Sequence, residues 1–178
     1  VVTGSSSRLL SKEIATSLRG RSLATELLPF SFAEALRHGG VEAPRKAPTS
    51  AERSHLERAL SSYLETGGFP EVQGLEFQLS RRVLLDYVDV VLYRDVAERH
   101  AVTNLQALRW LERALLANPG GLFSVNRFFN DLKSQGIGIG KDGLHALLHH
   151  LEDAYLLFTI PVHTHSVRAR QVNPRKCY

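Results

Sequence analysis

Several groups of side chains stand at spacings that chemistry could use. His145 and His149 lie four residues apart, with His150, Glu152 and Asp153 close by, which is how a helix can present metal ligands. The residue after His145 is Ala146, so the glutamate that would serve a zinc peptidase is missing, and no metal is expected. Gly136, Gly138 and Gly140-Lys141 imitate a phosphate loop. Such a loop needs glycine five residues before its Gly-Lys pair and Ser or Thr after it; those places hold Gln135 and Asp142. Arg94 with Glu98 and Asp95 with Arg99 form two opposite-charge pairs at four-residue spacing, the signature of a solvated helix face. No Ser, His and acid arrangement carries a local signature of nucleophilic catalysis.

The elements that must position these residues can be read from periodicity and punctuation. Val1-Val2-Thr3 reads as a strand end, with a serine of Gly4-Ser5-Ser6-Ser7 capping a helix over about Arg8 to Leu18 that stops at Arg19-Gly20-Arg21. A second strand is expected within Ser22 to Leu28, and a short helix over Phe32 to Leu36. His38 to Ser50 is rich in glycine, proline and charge and marks a boundary. Thr49 and Glu52 then stand at capping-box spacing before Leu56, Ala59, Leu60, Tyr63 and Leu64, a helix that ends at Gly67-Gly68. A continuous helix is expected from about Leu79 to His100 and another from Leu105 to Ala117. Ser124 opens a helix holding Phe128, Phe129 and Leu132; a turn at Gly136 to Gly140 leads to a helix of about Lys141 to Ala154. Two strands are expected at Tyr155 to Ile160 and Gln171 to Tyr178, joined by a basic loop.

Helices followed by a strand pair with a basic connection have the layout of a winged helix. In that layout Lys141, His145 and His149 face outward from the recognition helix, while Arg168 and Arg170 reach DNA phosphate or a minor groove. The charge distribution agrees: the formal net charge is +4, and His163 to Tyr178 holds Arg168, Arg170, Arg175 and Lys176 with no acidic residue. An edge that merely faces the rest of the protein would look the same.

At 178 residues and 43% hydrophobic content, the chain can build one sizeable core or two small ones. Its single cysteine, Cys177, excludes an internal disulfide framework and a cysteine-based zinc site, and points to a cytoplasmic setting. No apolar run approaches the roughly 20 residues of a membrane span. The lack of methionine and the opening Val1-Val2-Thr3-Gly4 read as a chain cut at the front.

Longer strings carry a resemblance. Thr3-Gly4-Ser5-Ser6-Ser7-Arg8-Leu9-Leu10, Leu28-Pro29-Phe30-Ser31, Tyr63-Leu64-Glu65-Thr66-Gly67-Gly68-Phe69-Pro70, Tyr93-Arg94-Asp95 and Leu151-Glu152-Asp153-Ala154-Tyr155-Leu156 resemble a prokaryotic family of AAA-type ATPases with a C-terminal domain of unknown function. The resemblance implies a mainly α (α+β) fold: a C-terminal piece of a P-loop α/β core in residues 1–47, a helical lid and connecting helix in 48–100, and a winged helix-turn-helix domain in 101–178. It places Ser5 and Ser6 at the polar sensor beside the terminal phosphate, Arg19 and Arg21 where an arginine finger reaches a neighbouring subunit's nucleotide, and Gly67, Gly68 and Pro70 against adenine. ATP and Mg²⁺ are then the ligands of the intact protein. The phosphate loop and the acidic magnesium-binding strand are not in this sequence, so tight binding or hydrolysis by the chain alone is not expected. Orphaned core strands would leave apolar surface that favours self-association.

Overall fold

A computed structural model describes residues 25–44, 46–172 and 174–178. These fall into two compact units, 25–89 and 90–178. Ser5, Ser6, Arg19 and Arg21, with the helix and first strand expected around them, lie outside the described residues.

In the unit 25–89, α1 (Phe32–His38) begins at Ser31. The Ser31 side chain accepts from the Glu34 N–H while the Glu34 carboxylate accepts from the Ser31 N–H, so two otherwise orphaned helix-end donors are satisfied. The second helix, α2 (Ser50–Thr66), opens on the same device between Thr49 and Glu52, as the spacing predicts. Gly39 to Pro44 and Lys46 to Thr49 form neither helix nor strand, and α1 and α2 pack together: Phe32 and Tyr63 meet at a ring distance of 5.5 Å. No residue of α2 is buried; Leu64 is 74% exposed. A 3-10 turn (Pro70–Val72) leads into α3 (Phe77–Val90), and Val72 and Ser80 are buried, with the Ser80 hydroxyl donating to the Val72 carbonyl. Thr25 to Leu28, the described part of the expected second strand, is not a strand.

The unit 90–178 holds the main apolar core. A π-helical segment (Val91–Glu98) follows α3 in the chain, where a continuous α-helix is expected from periodicity. The segment buries Leu92, Asp95, Val96 and Ala97. They pack with Ala107, Leu108, Leu111 and Leu115 of α4 (Leu105–Leu116), Phe128 and Leu132 of α5 (Val125–Ser134), and Leu144, Leu147, Leu148 and Leu151 of α6 (Lys141–Asp153). Asn104 caps α4 and Ser124 caps α5, each accepting from a first-turn N–H.

Three short strands complete this unit: β1 (Leu122–Phe123), β2 (Thr159–Ile160) and β3 (Arg175–Cys177), antiparallel in the order β1-β3-β2. Leu122 and Ile160 both register on Lys176. The strands are shorter than the sequence pattern implies, for two local reasons. Tyr155 adopts a left-handed conformation (φ 56°) and the Leu156 N–H returns to the Leu151 carbonyl, so the start of the expected strand is a helix terminus. Val167–Val172 forms a further short helix, α7, so Gln171 and Val172 belong to it and strand pairing begins at Arg175. Among the described residues, no helix is long and apolar enough to cross a membrane.

Candidate functional site

The glycine string at the end of α2 is built around a contact that the sequence alone does not show. Gly67 (φ 75°, ψ −168°) lies in a region that only glycine occupies without strain, and its N–H closes the helix on the Tyr63 carbonyl at 2.7 Å. Gly68 has a different task. Its carbonyl accepts from the Phe30 N–H at 2.6 Å, and a methyl group on it would stand 2.1 Å from the Phe30 carbonyl oxygen. The Tyr63 hydroxyl donates to that same oxygen at 2.6 Å. Leu28-Pro29-Phe30-Ser31 and Tyr63-to-Pro70, distant in sequence, are thus stitched backbone to backbone. Gln73 ties off the turn, its side-chain amide donating to the carbonyls of Gly67 (2.9 Å) and Phe69 (3.1 Å). Pro70 and Phe69 remain exposed beside this joint, and the Phe69 ring lies 5.6 Å from that of Tyr87. The space where a Gly68 side chain would stand is filled by Phe30, while Phe69 and Pro70 are exposed.

The four residues named for nucleic acid lie in the unit 90–178. Lys141 opens α6, its ammonium 5.3 Å from the centre of the Phe129 ring, and His145 is exposed one turn on. Arg168 and Arg170 are exposed on α7, within the segment that joins the paired strands β2 and β3. This connection is helical where a plain loop is expected, with Ser166 opening the turn: its side chain accepts from the Ala169 N–H and its carbonyl from the Arg170 N–H. His149 is engaged elsewhere, its Nδ1 3.2 Å from a Glu152 carboxylate oxygen. His150 stacks on His100 at 3.7 Å between ring centres. Among the described residues no three His, Cys, Asp or Glu side chains gather as metal ligands would.

The charge pairs of the π-helical segment are arranged differently from the four-residue pattern. Asp95 and Arg99 do pair, at 3.4 Å, but Arg94 turns to Asp95 rather than to Glu98, its Nε 3.2 Å from the same Oδ1. Asp95 is 2% exposed and so is a buried carboxylate held by two guanidiniums. The neighbouring Tyr93 hydroxyl accepts from Arg109 Nε at 2.9 Å, and that guanidinium lies 4.6 Å from the Tyr93 ring centre. Cys177 is buried on β3, where loss of solvent, and next the negative Glu152, push its thiol pKa up against the weaker pull of Arg175. Neither the Gly68–Phe30 joint nor the Asp95 hub was singled out from sequence; the only signal for the first is the doubled glycine, of which one suffices to end a helix.

Comparison with known proteins gives these features a family context. Residues 57–178 match the family model described as "Domain of unknown function (DUF8612)", and residues 1–36 match that of an "AAA domain". An uncharacterized protein of Methanocaldococcus jannaschii is 35% identical over 178 residues, covering 99% of this chain and 40% of the relative. An uncharacterized protein of Haemophilus influenzae is 29% identical over 158 residues, covering 89% of this chain and 38% of the relative. The chain therefore spans about two fifths of the length of these relatives. No solved structure matches it. With its family match running from residue 57 through the Gly68 joint, the buried Asp95 and the three-stranded sheet, the chain belongs to the family described as Domain of unknown function (DUF8612).

Proposed function

We propose that this chain is part of an AAA-type ATP-binding protein: the end of its nucleotide-binding core, a helical lid and a winged-helix module. The observation that carries the reading is the joint between Phe30 and Gly68. Phe30 lies inside the stretch that matches the AAA domain, and Gly68 lies in the glycine and proline string expected to meet adenine. The 2.6 Å backbone bond couples the position of that string to the core segment, as a lid that responds to nucleotide requires. Pro70 and Phe69 offer the rigid apolar surface that a flat base would use. In the intact protein Mg²⁺ and ATP would occupy the core; Ser5 or Ser6 would orient the attacking water, and Arg21 or Arg19 would complete a neighbouring subunit's site with a fork of donors on phosphate oxygens.

The test is calorimetric titration of ATP with Mg²⁺ into the full-length protein, alongside its Pro70→Ala and Arg21→Ala variants, with phosphate release followed in parallel. Weakened binding in Pro70→Ala and loss of hydrolysis with binding retained in Arg21→Ala are the expected results. A full-length protein that binds no nucleotide would sink the reading.

A second reading, DNA contact by the winged-helix module, is favoured by a separate observation. After its π-helical segment, the unit 90–178 runs helix, strand, helix, helix, strand, basic helical connection, strand, with the last strand central in the sheet. Arg168 and Arg170 are exposed on that connection and Lys141 and His145 on the second helix of the pair. Duplex binding that weakens steeply with salt, and whose salt dependence flattens in an Arg168→Ala, Arg170→Ala double variant, is the expected signature. Binding unchanged by the double variant would dismiss the connection as the contact.

A further inference from the structure

The π-helical segment Val91–Glu98 breaks two local rules at one place. An eight-residue π-helix is a departure from the ordinary helical ladder, and such departures gather at functional sites. Within it sits Asp95, a carboxylate 2% exposed, whose removal from water is unfavourable and which leucine or alanine would avoid. Adjacent violations of this kind are where function is expected to reside.

The geometry shows what the pair of violations achieves. Arg94 Nε and Arg99 Nη2 lie 3.2 and 3.4 Å from one and the same carboxylate oxygen, so two guanidiniums that would otherwise repel are held side by side. Arg94 engages Asp95 through Nε; its two terminal nitrogens sit on a side chain that is 65% exposed. Arg99 engages through one terminal nitrogen, on a side chain 31% exposed. Of these three groups two are cationic and one anionic, and both guanidiniums carry further N–H donors beyond the nitrogen that meets Asp95. Paired forks of this kind match the oxygens of a phosphate group.

We propose that Arg94 and Arg99 form a phosphate-binding site, with Asp95 as the positioning residue that fixes both guanidiniums. The ligand class is a phosphate-bearing molecule, whose phosphate is that of a nucleotide or of a nucleic-acid backbone. The site is separate from Gly67, Gly68 and Pro70 and from Arg168 and Arg170, and it does not rest on the ATPase reading.

The experiment titrates the full-length protein with inorganic pyrophosphate and, in a second arm, with a short DNA duplex, comparing wild type with Arg94→Gln, Arg94→Lys and Asp95→Asn. Arg94 is exposed, so Arg94→Gln leaves the core intact; it should weaken binding about tenfold, the loss of one charge-assisted contact. Arg94→Lys keeps the charge without the fork and should fall between Arg94→Gln and wild type. Asp95→Asn separates positioning from simple attraction. Removing a negative charge would tighten anion binding if only Coulomb attraction mattered, whereas release of the two guanidiniums weakens it. Weakening confined to pyrophosphate identifies a nucleotide phosphate; weakening confined to duplex identifies the nucleic-acid backbone. Affinity unchanged in Arg94→Gln, tighter binding in Asp95→Asn, or no binding of either probe would overturn the proposal.

Discussion

Replacing Gly68 by alanine tests the close approach of the glycine string to Phe30. The added methyl would meet the Phe30 carbonyl oxygen at 2.1 Å and the Phe30 backbone carbon and nitrogen at 3.0 Å, and backbone cannot rotate aside as a side chain could. The two segments must part, breaking the Phe30-to-Gly68 hydrogen bond and disturbing the Tyr63 hydroxyl bond to the same residue. The broken bond contributes about 1 kcal/mol net, and forcing atoms into a filled space adds about 1–3 kcal/mol, so a loss of about 2–4 kcal/mol is expected. Gly39 supplies the control within the same unit: its φ is −77° and an added methyl would find only ordinary contacts, the nearest at 3.5 Å, so Gly39→Ala should change stability by under about 0.5 kcal/mol. Urea unfolding followed by the helical circular dichroism signal gives both values. Hydrogen exchange at the Phe30 amide gives a local readout, because that proton is protected by Gly68 alone among the described hydrogen bonds. If Gly68→Ala were as mild as Gly39→Ala, with Phe30 still protected, the close approach would not exist in solution and the proposed coupling of Phe30 to the glycine string would fall with it.

Two further outcomes follow from the titrating groups. The backbone and then the side-chain hydrogen bond from Thr49 hold the Glu52 carboxyl below the ordinary glutamate value of 4.5. A carboxylate depressed in the folded state contributes stability above its unfolded value that disappears as pH falls through the folded one, so acidification beneath 4.5 should fray the start of α2, and Glu52→Gln should abolish that step. A carboxyl-carbon NMR titration of Glu52 with a midpoint at or above 4.5 would contradict the cap. Cys177, the sole cysteine, is buried with its thiol pKa raised chiefly by loss of solvent. It should react with a disulfide reagent far more slowly in the native protein than after unfolding. Because the neutral thiol is favoured when folded, the corresponding stability is present below the unfolded thiol pKa and declines as pH rises through the folded one. Rapid labelling of native protein would place Cys177 outside the core.

The elements most legible in the sequence are those whose cause is local. Thr49 with Glu52, Ser124, and the apolar spacing of Leu144, Leu147, Leu148 and Leu151 each act within a turn or two of helix, and the structure forms α2, α5 and α6 where these signals lie. The strands are shorter than the sequence pattern implies because apolar runs do not state their partners. Tyr155 belongs to the run by composition, yet its left-handed backbone closes α6, and only the cross-strand register of Thr159 and Ile160 with β3 decides where pairing starts. Likewise Gly67 is legible as a helix stop, while Gly68 responds to a carbonyl far upstream, which no spacing rule encodes.

The Asp95 hub is hidden in the sequence for a different reason: of the two pairs expected at four-residue spacing, Asp95 with Arg99 forms, while Arg94 turns away from Glu98. In an α-helix, residues one apart point away from each other, so Arg94 and Asp95 would not be joined and Glu98 is the natural partner of Arg94. Eight residues are too few for periodicity to separate an α-helical turn from a wider one: Leu92 and Val96 fit either. Asp95 lies three residues after Leu92 and next to Val96, on the face that is buried, and a buried carboxylate must gather whatever cations reach it. Arg94 then bonds to its own neighbour at 3.2 Å while Arg99 keeps the expected pairing at 3.4 Å. Burial of Asp95 thus gathers Arg94 and Arg99 on one carboxylate, where four-residue spacing alone would give two independent surface pairs.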